Sequence, residues 1–395
     1  MAIKWVDELP LEGKRVFCRV DFNVPLDDNQ SVTDDTRIRA ALPTLQHILK
    51  AGGKLICASH LGRPKGKPVP KLGMEPVGAR LAQLLGGDYR VLVTDEPVGA
   101  AARKLTQEML AGDVVLLENL RYHPGETKND PTFVKELAAL AEVYVNDAFG
   151  TAHRAHASTT GVAEILSVRG AGFLMRKEIE FLGKLLGEVA RPYAALLGGA
   201  KVSDKIGVLQ NLLSRVNVLL VGGAMANTFI KARGGDTGAS RVESDSLDAA
   251  NKVLKNAEAK GVELLLPVDA LVAGALDATE SSVAPADRIP AGQMALDIGP
   301  KTRALFAEKL RASRTIFWNG PMGVFEQQAF AGGTLEAARA VAESGALSVV
   351  GGGDSVSAVM KSGFADRISH ISTGGGASLE FVEGKKLPGI AALER

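Results

Sequence analysis

The feature that most limits what this chain can fold into is a rhythm. Short apolar runs end in tight turns, and each turn opens into a helical pattern. Strands are expected near 15–20, 54–58, 90–93, 114–117 and 143–146 in the first half. The second half continues with strands near 194–197, 217–221, 262–266, 315–318, 347–350 and 369–372. Helical periodicity fills the intervals, for instance over 37–51, 74–86 and 131–141, then 201–214, 225–233, 245–260, 301–312, 334–344 and 354–362. Strands separated by helices cross over and pair in parallel, with helices covering both faces of the sheet. A chain of 395 residues exceeds one ordinary core, so two sheets are expected. The fold class is therefore α/β, with two doubly wound, Rossmann-like parallel-sheet domains of three layers each.

The stretch FLMRKEIEFLGKLLGEV (173–189) spaces Phe173, Leu174, Ile179, Phe181, Leu182, Leu185 and Leu186 at helical intervals with charges between. It reads as a helix joining a first domain, 1–172, to a second, 190–378. The less favoured alternative is an ordinary crossover helix within one domain. Composition excludes several classes. A net charge of +1 does not supply a long nucleic-acid surface. No run reaches the ~18 apolar residues of a membrane span, and MAIKWVDELPLEGK lacks the apolar core of a secretion signal. A cytoplasmic protein without membrane or nucleic-acid partners is expected, taken as a monomer. Cys18 and Cys57 lie in apolar stretches without metal spacing and read as core thiols.

The turns carry the chemistry. ALLGGAK (195–201), LLVGGAM (219–225), FWNGPMG (317–323), VVGGGDS (349–355) and ISTGGGA (371–377) each close a strand, four of them on adjacent glycines. Glycine lets a backbone approach phosphate, and the helix that follows presents free N–H groups. Neither GxxxxGK[ST] nor GxGxxG after the first strand is present, so neither a Walker loop nor a dinucleotide fingerprint is at work. The first-half turns RVDFNVP (19–25), ASHLGRP (58–64), LENLRYH (117–123) and NDAFGTAHRAH (146–156) instead bring His60, Arg63, Arg121, Arg154, His153 and His156 towards one sheet edge, and Arg37, which opens a helix, joins them. Such side chains hold a small polyanion, and Asp21 and Asn23 could bond its hydroxyls. Four histidines, His60, His123, His153 and His156, lie in these turns without HxxxH or HExxH spacing, which argues against a histidine metal site.

In the second half, Lys201 and Lys205 are spaced to share the first turns of a helix beside its positive dipole end. An anion between them would relieve their repulsion; two solvated lysines would look the same. Asp354 follows Gly351–Gly353, where it is either a helix cap or a magnesium ligand on nucleotide phosphates. Glu326 is either a ribose ligand or a surface carboxylate. Two anion sites of different construction point to phosphoryl transfer between a nucleotide and a small acid. A dehydrogenase and a non-catalytic two-lobed anion-binding protein are the competing readings. The first is weakened by the missing GxGxxG, the second by the lysines and Asp354 beside the glycines.

Taken together and in order, RVDFNVP, SHLGRP, LLENLRYH, VNDAFGTAHRAHAS, LGGAKVSDKI, IFWNGPMGVFE, GGGDS and STGGGASLE resemble the phosphoglycerate kinases, from residue 15 to about 390. The resemblance implies reversible transfer of a phosphoryl group from 1,3-bisphosphoglycerate to ADP, giving ATP and 3-phosphoglycerate, in glycolysis and gluconeogenesis. It implies domains that close on each other around an in-line transfer, with Mg²⁺ accompanying ATP or ADP. It assigns 3-phosphoglycerate to Asp21, Phe22, Asn23, Arg37, His60, Leu61, Gly62, Arg63, Arg121 and Arg154. The nucleotide falls to Gly199, Ala200, Lys201, Lys205, Gly222, Gly223, Asn319, Glu326, Gly352, Gly353, Asp354 and Ser355, with Asp354 as metal ligand. The resemblance also implies that Arg37, Lys201, Gly374 and Gly375 act on the transferring group, with Gly374–Gly376 as the helix N-terminus that faces it. The segment 379–395 is implied to return to the first domain.

Overall fold

The computed structural model describes residues 3–87 and 89–394. Among these residues the chain forms two compact units, one reaching Glu180 and resuming at Lys386, the other running from Phe181 to Lys385. The dividing point falls inside the helix Phe173–Leu186. The terminal stretch belongs to the first unit from Lys386 onwards, whereas 379–385 stays with the second.

The first unit is built on six parallel strands, β1 (Arg15–Arg19), β2 (Lys54–Ala58), β3 (Arg90–Val93), β4 (Asp113–Leu116), β5 (Val143–Asn146) and β6 (Val168–Ala171), ordered β3-β4-β2-β1-β5-β6. β1 lies mid-sheet and is buried on both faces: Val16, Phe17 and Cys18 are all inaccessible, as central parallel strands require. Cys18 and Cys57 sit opposite each other in register on β1 and β2 as buried free thiols. The last short helix, Pro388–Ala391, docks beside β5's turn: the Gly389 N–H donates to the Ala152 carbonyl at 2.8 Å, and Leu393 is fully buried.

The second unit contains β7 (Tyr193–Leu197), β8 (Val218–Val221), β9 (Glu263–Leu265), β10 (Asp269–Ala273), β11 (Ser282–Pro285), β12 (Met294–Ile298), β13 (Thr315–Asn319), β14 (Leu347–Gly351) and β15 (His370–Ile371). Six of these form a parallel sheet, β15-β14-β13-β7-β8-β9; the other three form an antiparallel sheet, β11-β10-β12. The α/β fold with two doubly wound sheets is as expected, while β6 and the small antiparallel sheet are additions. A second difference touches the lysines. The expected helix over 201–214 starts late: a 3₁₀ turn, Ser203–Lys205, precedes an α-helix at Ile206–Leu212. Lys201 therefore lies ahead of any helix, and the two lysines do not share a helical face. No helix among the described residues is long and apolar enough to cross a membrane.

Candidate active site

Register explains why distant turns meet. In the first unit Arg19 pairs with Ala58 on β2 and Asn146 on β5, so the turns after these three strands leave the sheet side by side. Asp21 accepts from Arg37 Nη1 at 2.6 Å, and Arg37 stands in the first turn of the helix Thr36–Lys50. Asn23 Oδ1 accepts the Gly62 N–H at 2.8 Å, while Arg121 Nη1 donates to the Gly62 carbonyl at 2.9 Å. The SHLGRP turn is thus held from both sides. Arg154 Nε donates to His153 Nε2 at 3.1 Å. Arg63 is exposed and makes no hydrogen bond or ion pair among the described residues.

Beneath this surface lies Arg19, a residue the motif reading passed over because it falls inside an apolar strand. It is fully buried, donates from Nε to Ser158 Oγ at 2.7 Å, and places Nη2 3.3 Å from His60 Nδ1. Ser158 Oγ in turn donates to the buried Glu126 at 2.6 Å. The region is poor in compensating anions. Burial, together with Arg154 and Arg19, lowers Arg121 to about 10. His60 is held well below the ordinary imidazole range, first by burial and then by Arg19, Arg121, Arg37 and Arg154. His156 is lowered to about 4 by burial first, then by Arg19, Arg121, Arg154 and His153. Arg121 Nε is buried without a hydrogen-bond partner. A cluster of cations that depress one another is a site prepared for an anion.

Two of the expected ligands behave differently. Phe22 is entirely buried in the core, and its N–H donates to Ser59 Oγ. Leu61 is 2% exposed, with both its backbone groups bonded to the Asn119 side chain. Neither side chain is available to a ligand, because each anchors its turn to the core.

In the second unit Asn319 closes β13 opposite Leu197 on β7 and Gly351 on β14, which brings the turns after all three strands together. Lys205 is buried there. Its Nζ donates to the Asn319 carbonyl at 3.0 Å and to Asn319 Oδ1, and burial lowers it to about 8. Asn319 Nδ2 donates to the Gly351 carbonyl at 2.8 Å, and Ser355 Oγ accepts from Gly320 N. Lys201 is exposed and unpaired among the described residues.

Two clefts open over these turns. One, of about 340 Å³, is lined by Lys201, Lys205, Asn319, Gly352, Gly353, Asp354 and Ser355. The other, about 480 Å³, is more apolar; Gly223, Asn227, Leu296, Met322, Val324 and Glu326 line it. They share Gly199, Ala200, Pro321, Arg241 and Asp354. Asn227, Leu296, Val324 and Arg241 were not singled out from sequence. Gly222 lines neither cleft, since a Cβ there would meet Met322 Sδ at 2.4 Å; its role is close packing of two turns. Gly374 and Gly375 also lie outside both clefts and lead into the short helix Gly376–Val382.

Asp354 is not the cap of its helix. Gly352 holds that position in the helix Gly353–Ser362, and the Asp354 carboxylate is exposed and makes no bond among the described residues. No group of three or more His, Cys, Asp or Glu positioned to hold a metal occurs among the described residues. One free carboxylate beside a lysine-lined cleft suits a cation whose other ligands come from outside the protein.

Comparison with known proteins agrees with this geometry. Residues 6–385 match the family model described as phosphoglycerate kinase. The chain belongs to the phosphoglycerate kinase family. The phosphoglycerate kinase of Anaeromyxobacter dehalogenans is 55% identical over the full length of both chains, and that of Koribacter versatilis is 55% identical over 98% of each. Among solved structures, the phosphoglycerate kinase of Coxiella burnetii superposes with a TM-score of 0.88 at 41% identity, covering 99% of this chain and 98% of that one. The Pyrococcus horikoshii phosphoglycerate kinase gives 0.85 at 34% identity, covering 98% and 97%. With phosphoglycerate kinase membership come the enzyme class, a nucleotide-binding transferase of glycolysis, and the fold of two parallel six-stranded sheets.

Proposed function

We propose that the basic turns of the first unit hold 3-phosphoglycerate or 1,3-bisphosphoglycerate and that the paired clefts of the second unit hold ADP or ATP. The observation that carries this reading is the pairing itself. An apolar cleft and a polar, lysine-lined cleft share five residues, which suits one ligand with a flat nucleoside at one end and phosphates at the other. Glu326, exposed on the wall of the apolar cleft, is placed to accept from ribose hydroxyls.

The chemistry asks little beyond positioning. In the direction that consumes ATP the nucleophile is a carboxylate, ionised at neutral pH because its pKa is near 4, so no general base is required. The barrier is the alignment of two polyanions and the neutralisation of charge on the moving group. Arg37, oriented by Asp21, supports the carboxylate side, and Lys201 supports the transferring oxygens. The N–H groups of Gly375 and Gly376 offer further donors, whereas that of Gly374 donates to Ser372 Oγ at 3.2 Å. Asp354 would hold Mg²⁺, which neutralises phosphate charge when bound.

A coupled assay tests the reading. Protein, ATP and 3-phosphoglycerate are mixed with excess glyceraldehyde-phosphate dehydrogenase and NADH, and magnesium is varied. NADH should disappear in the wild type, and Asp354→Ala should need far more magnesium for half-maximal rate. An unchanged magnesium requirement would remove Asp354 from the metal site.

A further inference from the structure

We propose that Arg241 is a further nucleotide-binding residue, a cation of the phosphate cleft that takes the phosphate joining the nucleoside to the terminal phosphates. This rests on the nucleotide reading of the two clefts given above.

Of the five residues common to both clefts, Gly199, Ala200 and Pro321 are uncharged and Asp354 is negative; Arg241 is the shared cation. A nucleoside polyphosphate lying across both clefts has its first phosphate at their junction. The backbone that carries Arg241 is fixed along its length. The Ala239 N–H donates to the Gln293 carbonyl at 2.8 Å, and Ser240 Oγ accepts from Ala295 N at 2.9 Å, which ties the segment to β12. The Arg241 carbonyl accepts from Asn227 Nδ2 at 3.4 Å, and the Glu243 N–H donates to Thr228 Oγ1 at 3.1 Å, which ties it to the helix Gly223–Ala232. The Glu243 carboxylate then accepts from Val202 N, Ser203 N and Ser203 Oγ at 2.5, 3.1 and 2.7 Å. Residues 239–243 therefore form a strap from the wall of the apolar cleft to the lysine turn, with Arg241 over the junction.

The guanidinium itself is uncommitted. Arg241 is exposed, and its side chain makes no hydrogen bond or ion pair among the described residues. Its nearest acidic neighbour in sequence, Glu243, is occupied by the lysine turn. Lys205 is engaged with Asn319. Among the cations lining the phosphate cleft, this leaves Lys201 and Arg241 as the unpaired ones. An arginine can bond a phosphate through two N–H groups at once, which a lysine cannot.

Calorimetry with adenosine, AMP and ADP on the wild type, Arg241→Ala and Arg241→Lys tests this. In Arg241→Ala, AMP and ADP should bind about tenfold more weakly, as expected for one charge-assisted contact at an exposed site. Adenosine affinity should be unchanged, and Arg241→Lys should recover part of the loss. The KM for Mg-ATP should rise similarly, with kcat and the KM for 3-phosphoglycerate within about twofold, since the contact persists from ground state to transition state. Equal AMP and ADP binding in wild type and Arg241→Ala would overturn the assignment, as would an equal loss for adenosine. A wild type that binds no ADP would instead overturn the nucleotide reading beneath it.

Discussion

Gly353→Ala should separate folding from ligand binding. Gly353 opens the helix Gly353–Ser362, and a Cβ built there finds nothing within 4 Å. Its φ is not positive, so alanine fits the existing backbone. Removing glycine's freedom from the unfolded chain then stabilises by about 0.4–1 kcal/mol. For a unit of this size, that raises the melting midpoint by roughly 1–4 °C. The open space, however, belongs to the lysine-lined cleft proposed to hold the phosphates. A methyl group placed against a bound phosphate costs about 1–3 kcal/mol, as overpacking does elsewhere, or roughly 5- to 150-fold in the Kd for Mg-ADP. Thermal melts without ligand and calorimetry with Mg-ADP measure the two effects separately. Gly352→Ala is the control: its φ is +92° and its Cβ would lie 2.8 Å from Asn319 Nδ2, so it should lower the midpoint. A Gly353→Ala protein that melts earlier than wild type, or one that binds Mg-ADP unchanged, would refute the reasoning.

Arg37→Ala should reduce kcat by about two orders of magnitude or more while changing either KM only modestly, the pattern for a donor acting in the transition state; steady-state kinetics with near-normal kcat would exclude that role. The His60 and His156 rings should remain neutral at pH 6 in the free protein, with His156 protonating only near pH 4. Their folded values lie below the unfolded value of about 6.5, so the unfolded chain gains protons first on acidification and their share of stability falls as pH drops below it. Ring titration by NMR checks this, and 3-phosphoglycerate should raise both values; rings titrating near 6.5 without ligand would contradict the cation cluster.

Much of this molecule was legible as pattern, and the omissions have physical reasons. The strand-end turns could be placed because parallel strands are short apolar runs and their turns need special residues. β10, β11 and β12 escaped because their sheet is small and half exposed: Val283 is 56% exposed and the β10–β12 register shifts between Leu271 and Val272. With them went Leu296 on the wall of the apolar cleft. The lysine pair misled because i, i+4 spacing is only informative inside a helix, and Glu243, 40 residues away, holds Ser203 in a 3₁₀ turn instead. Doubled glycines proved ambiguous as well. Gly222 serves packing against Met322, whereas Gly353 borders open space, a distinction that needs neighbours in three dimensions.

The docking of the Pro388–Ala391 helix at Ala152 sets a schedule for biosynthesis. A ribosome delivers β1 to β6 first, then everything from Phe181 to Lys385, and only afterwards the residues that complete the first unit. At ordinary elongation rates those intervening ~200 residues take about 10–40 s. Through that interval the nascent first unit has all its strands but leaves uncovered the Ala152 turn on which the Pro388–Ala391 helix will dock. A chain broken off anywhere in the second unit is therefore defective in both, carrying an unfinished first unit that chaperones and proteases can recognise.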